Sequence, residues 1–286
     1  MFTINTLKVF LLMGVLTVLL VLIGNAVGGS SGALIFLIIA LAMNLIGYYF
    51  SDSIAIKMTR SYPVSANESP ELYDIVGRLS QRAGMPVPRI FITPSEQPNA
   101  FATGRGPSHA AVAVTEGIMR LLSRSELEGV LAHEIAHIKN RDVLIGAIAA
   151  SLAGAITMIA NMLQWGLMFG GFRGDDDEGG GIAGLAGSLL MIILAPLAAM
   201  LVQMAISRAR EFQADASGAR LAGHTHGLAQ ALLKLERGAR QIPMQVNPAT
   251  SHLFIVNPLS GQSIARLFST HPPIEERVRR LEVMKI

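Results

Sequence analysis

The chain has 286 residues, of which 51% are apolar and 15% charged, with a formal net charge of +3. A soluble domain carries roughly 25% charged residues, so this composition argues against an ordinary soluble protein and equally against a disordered one. Cysteine is absent, which excludes a disulfide framework, a thiolate zinc finger, an iron–sulfur cluster and a cysteine nucleophile. A transition metal must then bind through His, Asp or Glu. With 6% aromatics and little net charge, nothing suggests a nucleic-acid-binding surface.

The apolar residues are clustered. Val9 to Val27 and Ala33 to Phe50 carry no charge, and each approaches the roughly 20 residues that cross a bilayer as a helix. Gly28-Gly29-Ser30-Ser31-Gly32 between them reads as a tight turn, so residues 1–51 are expected to form a transmembrane hairpin. A cleaved signal peptide is the alternative for the first segment, but no convincing small-residue cleavage site precedes the second. Two later uncharged stretches, Val143 to Phe172 and Gly179 to Ser207, are rich in Gly and Ala and carry Asn161, Gln164, Gln203 and Pro196. Small and polar residues suit helices packed on helices in a membrane. Residues 143–206 thus read as a second transmembrane hairpin, or else as a buried helical hairpin within a soluble fold.

Charge gives the expected orientation. Ten Lys or Arg lie between Asp52 and Asp142, and eleven from Arg208 onward. The loop Arg173 to Glu178 has one Arg against four acids. Basic segments stay in the cytoplasm, so both polar segments and both termini are expected inside and the acidic loop outside. That loop reads as a solvated turn rather than a calcium site.

Residues 52–142 read as a mixed α/β unit. Leu72, Ile75, Val76 and Leu79 share one face of a helix over Glu71 to Ala83. Arg89 to Thr93 reads as a strand, as do Asn99 to Thr103 and Ala111 to Thr115, with Gly104 to Pro107 between the last two. Glu116 to Leu122 starts a helix. Ser125, with Glu128 three residues on, predicts a capping box for the next one. Residues 207–286 read as mostly helical. Thr225 is expected to cap a helix through Leu228, Leu232, Leu233 and Leu235. Residues 242–263 read as loop, and Pro272-Pro273 opens a last helix containing Arg277, Arg279 and Arg280.

The chemistry lies in residues 133–137, His-Glu-Ile-Ala-His. Residues four apart share a helix face, so His133 and His137 can bind one metal ion, with Glu134 turned about 100° away yet near enough to act on water there. This is the HExxH arrangement of zinc-dependent proteases, in which three protein ligands leave one position open. Two histidines merely sharing a surface is the bland reading. A di-iron bundle needs a second Glu-x-x-His, and the chain has none. Position 143 is Val, so the extended motif with a third His is absent and the third ligand must come from elsewhere. Two antiparallel spans bring the end of the His helix and Glu211 back to the same side at similar heights. Glu211 is therefore the expected third ligand, and Asp215, one turn on, the partner that fixes an imidazole tautomer. The alternative is that both carboxylates only solvate their helix beside Arg208 and Arg210.

The hairpin, His133 to His137 and Glu211-Phe212-Gln213-Ala214-Asp215 together resemble the HtpX family of membrane-integrated zinc endopeptidases, relatives of the prenyl-protein-processing endopeptidases. Residues 98–104 and Thr270-His271-Pro272-Pro273 also resemble family motifs. The resemblance covers nearly the whole chain. It implies a gluzincin-type fold, one zinc per chain and a site facing the cytoplasm of a bacterial inner membrane. It also implies self-cleavage and proteolytic quality control of membrane proteins under stress, alongside an ATP-dependent membrane protease.

Within that resemblance Asn99, Ala100, Phe101, Ala102 and Thr103 would be the edge strand that pairs with extended substrate, or simply a sheet edge. His271 is a candidate oxyanion stabiliser, although a His at a helix start is more often structural. His224 and His226 read as a surface turn rather than a metal pair, and His109 and His252 have no assigned role. The reading is a mainly α membrane protein with four transmembrane helices and a small α/β metalloprotease domain, acting on membrane proteins or peptides. The alternative is a zinc-binding membrane scaffold without turnover, which intact Glu134 argues against. A metal transporter would place ionisable residues within the spans, and these have none.

Overall fold

The computed structural model describes residues 4–146, 148, 208–242, 253–257 and 272–286. It is mainly helical with one small sheet. The expected second hairpin beyond residue 148, the acidic loop and His271 lie outside the described residues.

Helix α1 (Ile4–Met58) is two helices joined at a break where Gly28 has φ −138° and Gly29 φ +58°. Only these two residues leave the helix, so the expected turn is shorter than Gly28 to Gly32. Leu7–Asn25 and Gly28–Met58 are each long and apolar enough to cross a membrane. They pack at a glycine contact: a Cβ on Gly32 would lie 2.2 Å from the Gly24 carbonyl oxygen. Below it, the Asn44 amide donates to Thr17 Oγ1 (2.9 Å) and to the Met13 carbonyl (3.2 Å). Val9, Leu12, Leu16 and Leu20 are buried against Ala40, Leu144 and Ile145, while Phe10, Val18, Ile38 and Leu45 face outward.

The second helix continues to Met58, beyond the apolar stretch, and plants Ala55 and Ile56 on the sheet. Hydroxyls of Thr59, Ser61 and Thr93 form a chain with 2.7 Å links that ties this end to the sheet. The sheet has the order β1 (Tyr62–Pro63), β2 (Arg89–Thr93), β4 (His109–Thr115), β3 (Ala100–Gly106). β2 and β4 are parallel and the other pairs antiparallel. The expected strands are present, but β3 runs further than Thr103. An irregularity between Gly104 and Gly106 lets pairing continue, so the turn falls at Pro107-Ser108 rather than over Gly104 to Pro107.

Helix α2 (Pro70–Ala83) buries Leu72, Ile75, Val76 and Leu79 as its spacing predicts, and stops at Gly84 in the left-handed region. Helix α3 (Glu116–Leu121) is capped by Thr115, whose hydroxyl accepts from the Ile118 amide. Helix α4 (Arg124–Lys139) starts one frame earlier than expected: its N-cap is Ser123, whose backbone N–H donates to Glu126 at 2.8 Å. Two Ser-x-x-Glu frames overlap here. Glu128, from the frame not used, pairs with Arg78 of α2 at 3.2 Å instead.

α4 is the centre of the domain, lying against α2, β3, α5 (Arg208–Ala222) and α6 (His226–Gln241). Thr225 precedes α6 as expected, but its side chain makes no cap. The Gly227 amide donates to the His224 ring instead, at 3.4 Å. Helix α7 (Ile274–Val283) follows Pro273 and packs on α5 and α6.

Candidate metal centre

α4 presents His133 and His137 on successive turns, and α5 crosses it with Glu211 facing both. The crossing is close because residue 218 is glycine: a Cβ there would lie 2.8 Å from the His133 backbone nitrogen. The two His Nε2 atoms are 3.1 Å apart. Glu211 carboxylate oxygens lie 3.8 Å from His133 Nε2 and 3.4 Å from His137 Nε2. Ligand atoms about 2.0–2.1 Å from a tetrahedral zinc are roughly 3.3 Å from one another. These three residues, whose ligand atoms all fall within 4.8 Å, therefore fit such an ion in both spacing and donor type.

Each imidazole is held from behind. His133 Nδ1 is 2.9 Å from Asp215 Oδ1, and His137 Nδ1 is 3.1 Å from Asp142 Oδ2. A carboxylate accepting from Nδ1–H leaves the Nε2 lone pair free for a metal. Asp215 is itself clamped by Arg277, with Nε at 2.9 Å and Nη2 at 2.7 Å. Arg277 is fully buried and also lies 3.8 Å from Glu211. His133, Glu134, Glu211 and Asp215 are buried too. Buried charges persist only when paired, and here every one has a partner.

The titrations follow from this packing. Burial lowers His133 to about 4, against the opposing hydrogen bond that its ring donates to Asp215. Burial also works against charge on His137, but the Glu211 charge and the Asp142 hydrogen bond prevail and raise it to about 10. Burial raises Glu134 to about 7, with Glu211 adding to the rise, while His137, Arg277 and the Ala102 amide oppose it. Burial would raise Asp215 as well, yet the Arg277 guanidinium holds it down at about 2.

β3 borders the centre. The Ala102 backbone amide hydrogen-bonds the Glu134 carboxylate, so the HExxH glutamate sits at the strand's outer side. β3 is the terminal strand of the named sheet, but its outer side is not bare. Leu253–Asn257 lies along it: Phe254 bridges antiparallel to Phe101 and the Ile255 amide donates to Ala100 O at 3.0 Å. The Asn99 amide clasps Val256 through both its N–H (3.3 Å) and its carbonyl (2.7 Å). Arg277 Nη1 donates to Ile255 O at 3.2 Å. Thr103 is fully buried.

The expected residues His133, Glu134, His137, Glu211 and Asp215 are thus together, with Asn99 to Ala102 alongside. Sequence reasoning missed Asp142, Arg277 and the strand at Phe254. Arg277 did carry a signal: with Ile274, Val278 and Leu281 it occupies the buried face of α7, and a cation on an apolar stripe calls for a buried partner.

The sequence profile of peptidase family M48 matches residues 66–285. The chain belongs to peptidase family M48. Within it the chain is of the HtpX type. It is 68% identical over 282 residues to a protease HtpX homolog of Pelotomaculum thermopropionicum, covering 99% of this chain and 100% of that one. It is 54% identical to one of Thermococcus kodakarensis, covering 96% and 94%. The fold is similar to the crystal structure of S. mikatae Ste24p, with a TM-score of 0.53 at 20% identity, covering 98% of this chain and 65% of that one. This M48 chain is a metalloprotease of the membrane, and His133, His137 and Glu211 can hold its metal.

Proposed function

We propose that the chain is a zinc endopeptidase of gluzincin type, with one zinc held by His133, His137 and Glu211. It acts in a bacterial inner membrane on misfolded or damaged membrane proteins. The observation that carries this reading is the placement of Glu134 between the ligand cluster and the Ala102 amide of β3, which unites a metal site, a proton acceptor and a peptide-binding edge. A bound zinc would supply Lewis acidity to the attacking water and to the scissile carbonyl. Glu134 takes the proton of that water and passes it to the leaving amine, a task suited to a carboxyl held near neutral pH. Asp215 and Asp142 orient the imidazoles, and Arg277 holds Asp215. The outer edge of Asn99 to Thr103 is assigned to hold the substrate backbone by strand addition, in the place that the chain's own Leu253–Asn257 takes.

His271, which precedes Pro272 at the entry to α7, remains the candidate oxyanion stabiliser. The hairpin of residues 1–51 and the apolar stretch 143–206 are assigned as four crossings, with both termini and the site in the cytoplasm; basic residues flanking the hairpin support this. A role in stress-linked quality control beside an ATP-dependent membrane protease rests on the family resemblance. The test is Glu134→Ala, purified in chelator and then loaded with zinc. It retains zinc and loses casein-type cleavage. Wild-type turnover by this variant removes the assignment.

A further inference from the structure

The backbone polarity of the substrate edge is fixed relative to the bilayer. β3 runs from Ala100, past Ala102 beside Glu134, to Gly106, next to Arg105, whose guanidinium lies over the Tyr49 ring near the end of the second apolar helix at 5.3 Å from its centroid. Tyr49 and Phe50 are exposed and close the uncharged stretch, with Asp52 the first charge after it. Exposed aromatics at the end of an apolar helix sit at headgroup level. Arg105 therefore marks the bilayer surface on the catalytic side. Ala102, whose amide touches Glu134, is three residues away, about 10 Å along a strand.

The outer edge of β3 also declares which strand direction it takes. Phe254 pairs antiparallel with Phe101, and the Ile255 amide reaches Ala100 O. The chain's own Leu253–Val256 thus enters from the Arg105 side and leaves toward Asn99. A peptide taking this place by displacing it has its N-terminal flank toward the bilayer and its C-terminal flank toward the interior of the domain. The apolar contacts suit an extended apolar segment: Phe254 packs edge-on against Phe101 at 5.1 Å and shares a buried cluster with Ala55 and Ile56.

We propose that this protease selects extended apolar segments that follow a transmembrane helix, and cuts them roughly three to six residues after the helix leaves the bilayer on the catalytic side. Segments that precede a helix present the opposite polarity to β3 and are poor substrates. This rests on the endopeptidase reading above and adds direction and distance to it.

The full-length zinc enzyme is co-reconstituted in lipid nanodiscs with one of two single-span substrates. Both carry the same apolar reporter tail, placed after the span in one and before it in the other. Random relative orientation penalises both alike. The tail after the span is cut at least tenfold faster, and mass spectrometry places the cut at the same distance from the span when the tail sequence is permuted. Equal rates, a preference for the preceding tail, or a cut that follows sequence rather than distance overturns the proposal. The free reporter peptide in detergent is the control. If it is cut while the two tails do not differ, the proposal fails and the endopeptidase reading stands. If neither it nor either tail is cut by zinc-loaded enzyme, the endopeptidase reading fails and takes this inference with it.

Discussion

The N-terminal hairpin and the metal centre both bury polar groups in apolar surroundings, and they do so by opposite rules. In the hairpin one amide, Asn44, spans to Met13 and Thr17, and its Oδ1 has no hydrogen bond among the described residues. What holds the helices there is shape, with Gly24 against Gly32 and Val9, Leu12, Leu16 and Leu20 on one stripe. In the centre, three carboxylates, an imidazole and a guanidinium are buried beside the half-buried imidazole of His137, and each is met by an opposite charge or a directed donor. A hairpin in lipid tolerates an approximate partner because its helices gain little from polarity. A centre that must keep a metal and a base in register tolerates none.

The largest break expected in that rule is at the ligands. Glu211→Ala leaves two histidines, and it loses most bound zinc at neutral pH and activity with it. Asp215→Asn keeps all three ligands and weakens only the hold on His133, so it loses about 10–100-fold in metal affinity or activity. Metal titration with cleavage measured at each point separates the two. Asp215→Asn recovers much of its occupancy as zinc is raised, and Glu211→Ala recovers far less. Normal zinc and activity in Glu211→Ala would place the third ligand elsewhere than Glu211, with Asp215 the first residue to test.

Next is the clamp. Arg277→Met leaves Asp215 buried beside Glu211 without its guanidinium, and breaking a buried pair from one side costs about 3–5 kcal/mol. Thermal unfolding of the zinc-free protein measures it. Removing both partners, Arg277→Met with Asp215→Leu, recovers much of that stability without recovering activity. A single variant as stable as wild type would show that the clamp has no structural role.

What the sequence showed and hid follows the same division. The motif on α4, the stripe of α2 and strand β2 were legible because their signals repeat within a few residues. Glu211 was reachable because its distance in sequence from the end of the last apolar stretch matches that of the His helix from the stretch before it. Ser125 misled because Ser123 offers an equivalent capping frame, and local spelling does not choose between them. The choice is made by Lys234 and Arg78, which meet Glu126 and Glu128 from other helices. Arg277 and the strand at Phe254 were hidden for the same reason. Their partners lie 62 residues away at Asp215 and more than 150 away at Asn99, and no periodicity announces a pairing of that range.

A smaller effect sharpens the electrostatic half of the comparison. Glu134 accepts a proton only as a carboxylate, and its pKa stands at about 7 because burial outweighs the cations around it. A raised carboxyl is protonated and idle below that value. kcat/KM therefore rises with pH, about tenfold per unit, up to a limb at or below pH 7, since an added dication favours the carboxylate further. A pH profile of the zinc-loaded enzyme checks this. A limb centred above pH 8 would contradict the environment described for Glu134.

The smallest effect is expected in the hairpin, and it tests the comparison from the other side. Asn44→Leu deletes two donated hydrogen bonds, yet hydrogen bonds between membrane helices average about 0.6 kcal/mol. The same substitution removes the buried Oδ1 that has no partner among the described residues, which offsets part of that loss. Thr17 does not become an orphan, because its hydroxyl still donates to the Met13 carbonyl at 2.9 Å within its own helix. Leu branches at Cγ as Asn does and replaces its amide oxygen and nitrogen with two methyls of similar reach, so the helices need not separate. The expected change in unfolding free energy is therefore under about 1 kcal/mol, with zinc content and cleavage unchanged. Steric-trap or detergent unfolding of the full chain measures it against Gly32→Leu, which forces the Gly24 contact apart. A loss from Asn44→Leu comparable to that of Arg277→Met would mean that the hairpin is held by directed polarity after all, and the two regions would then obey one rule.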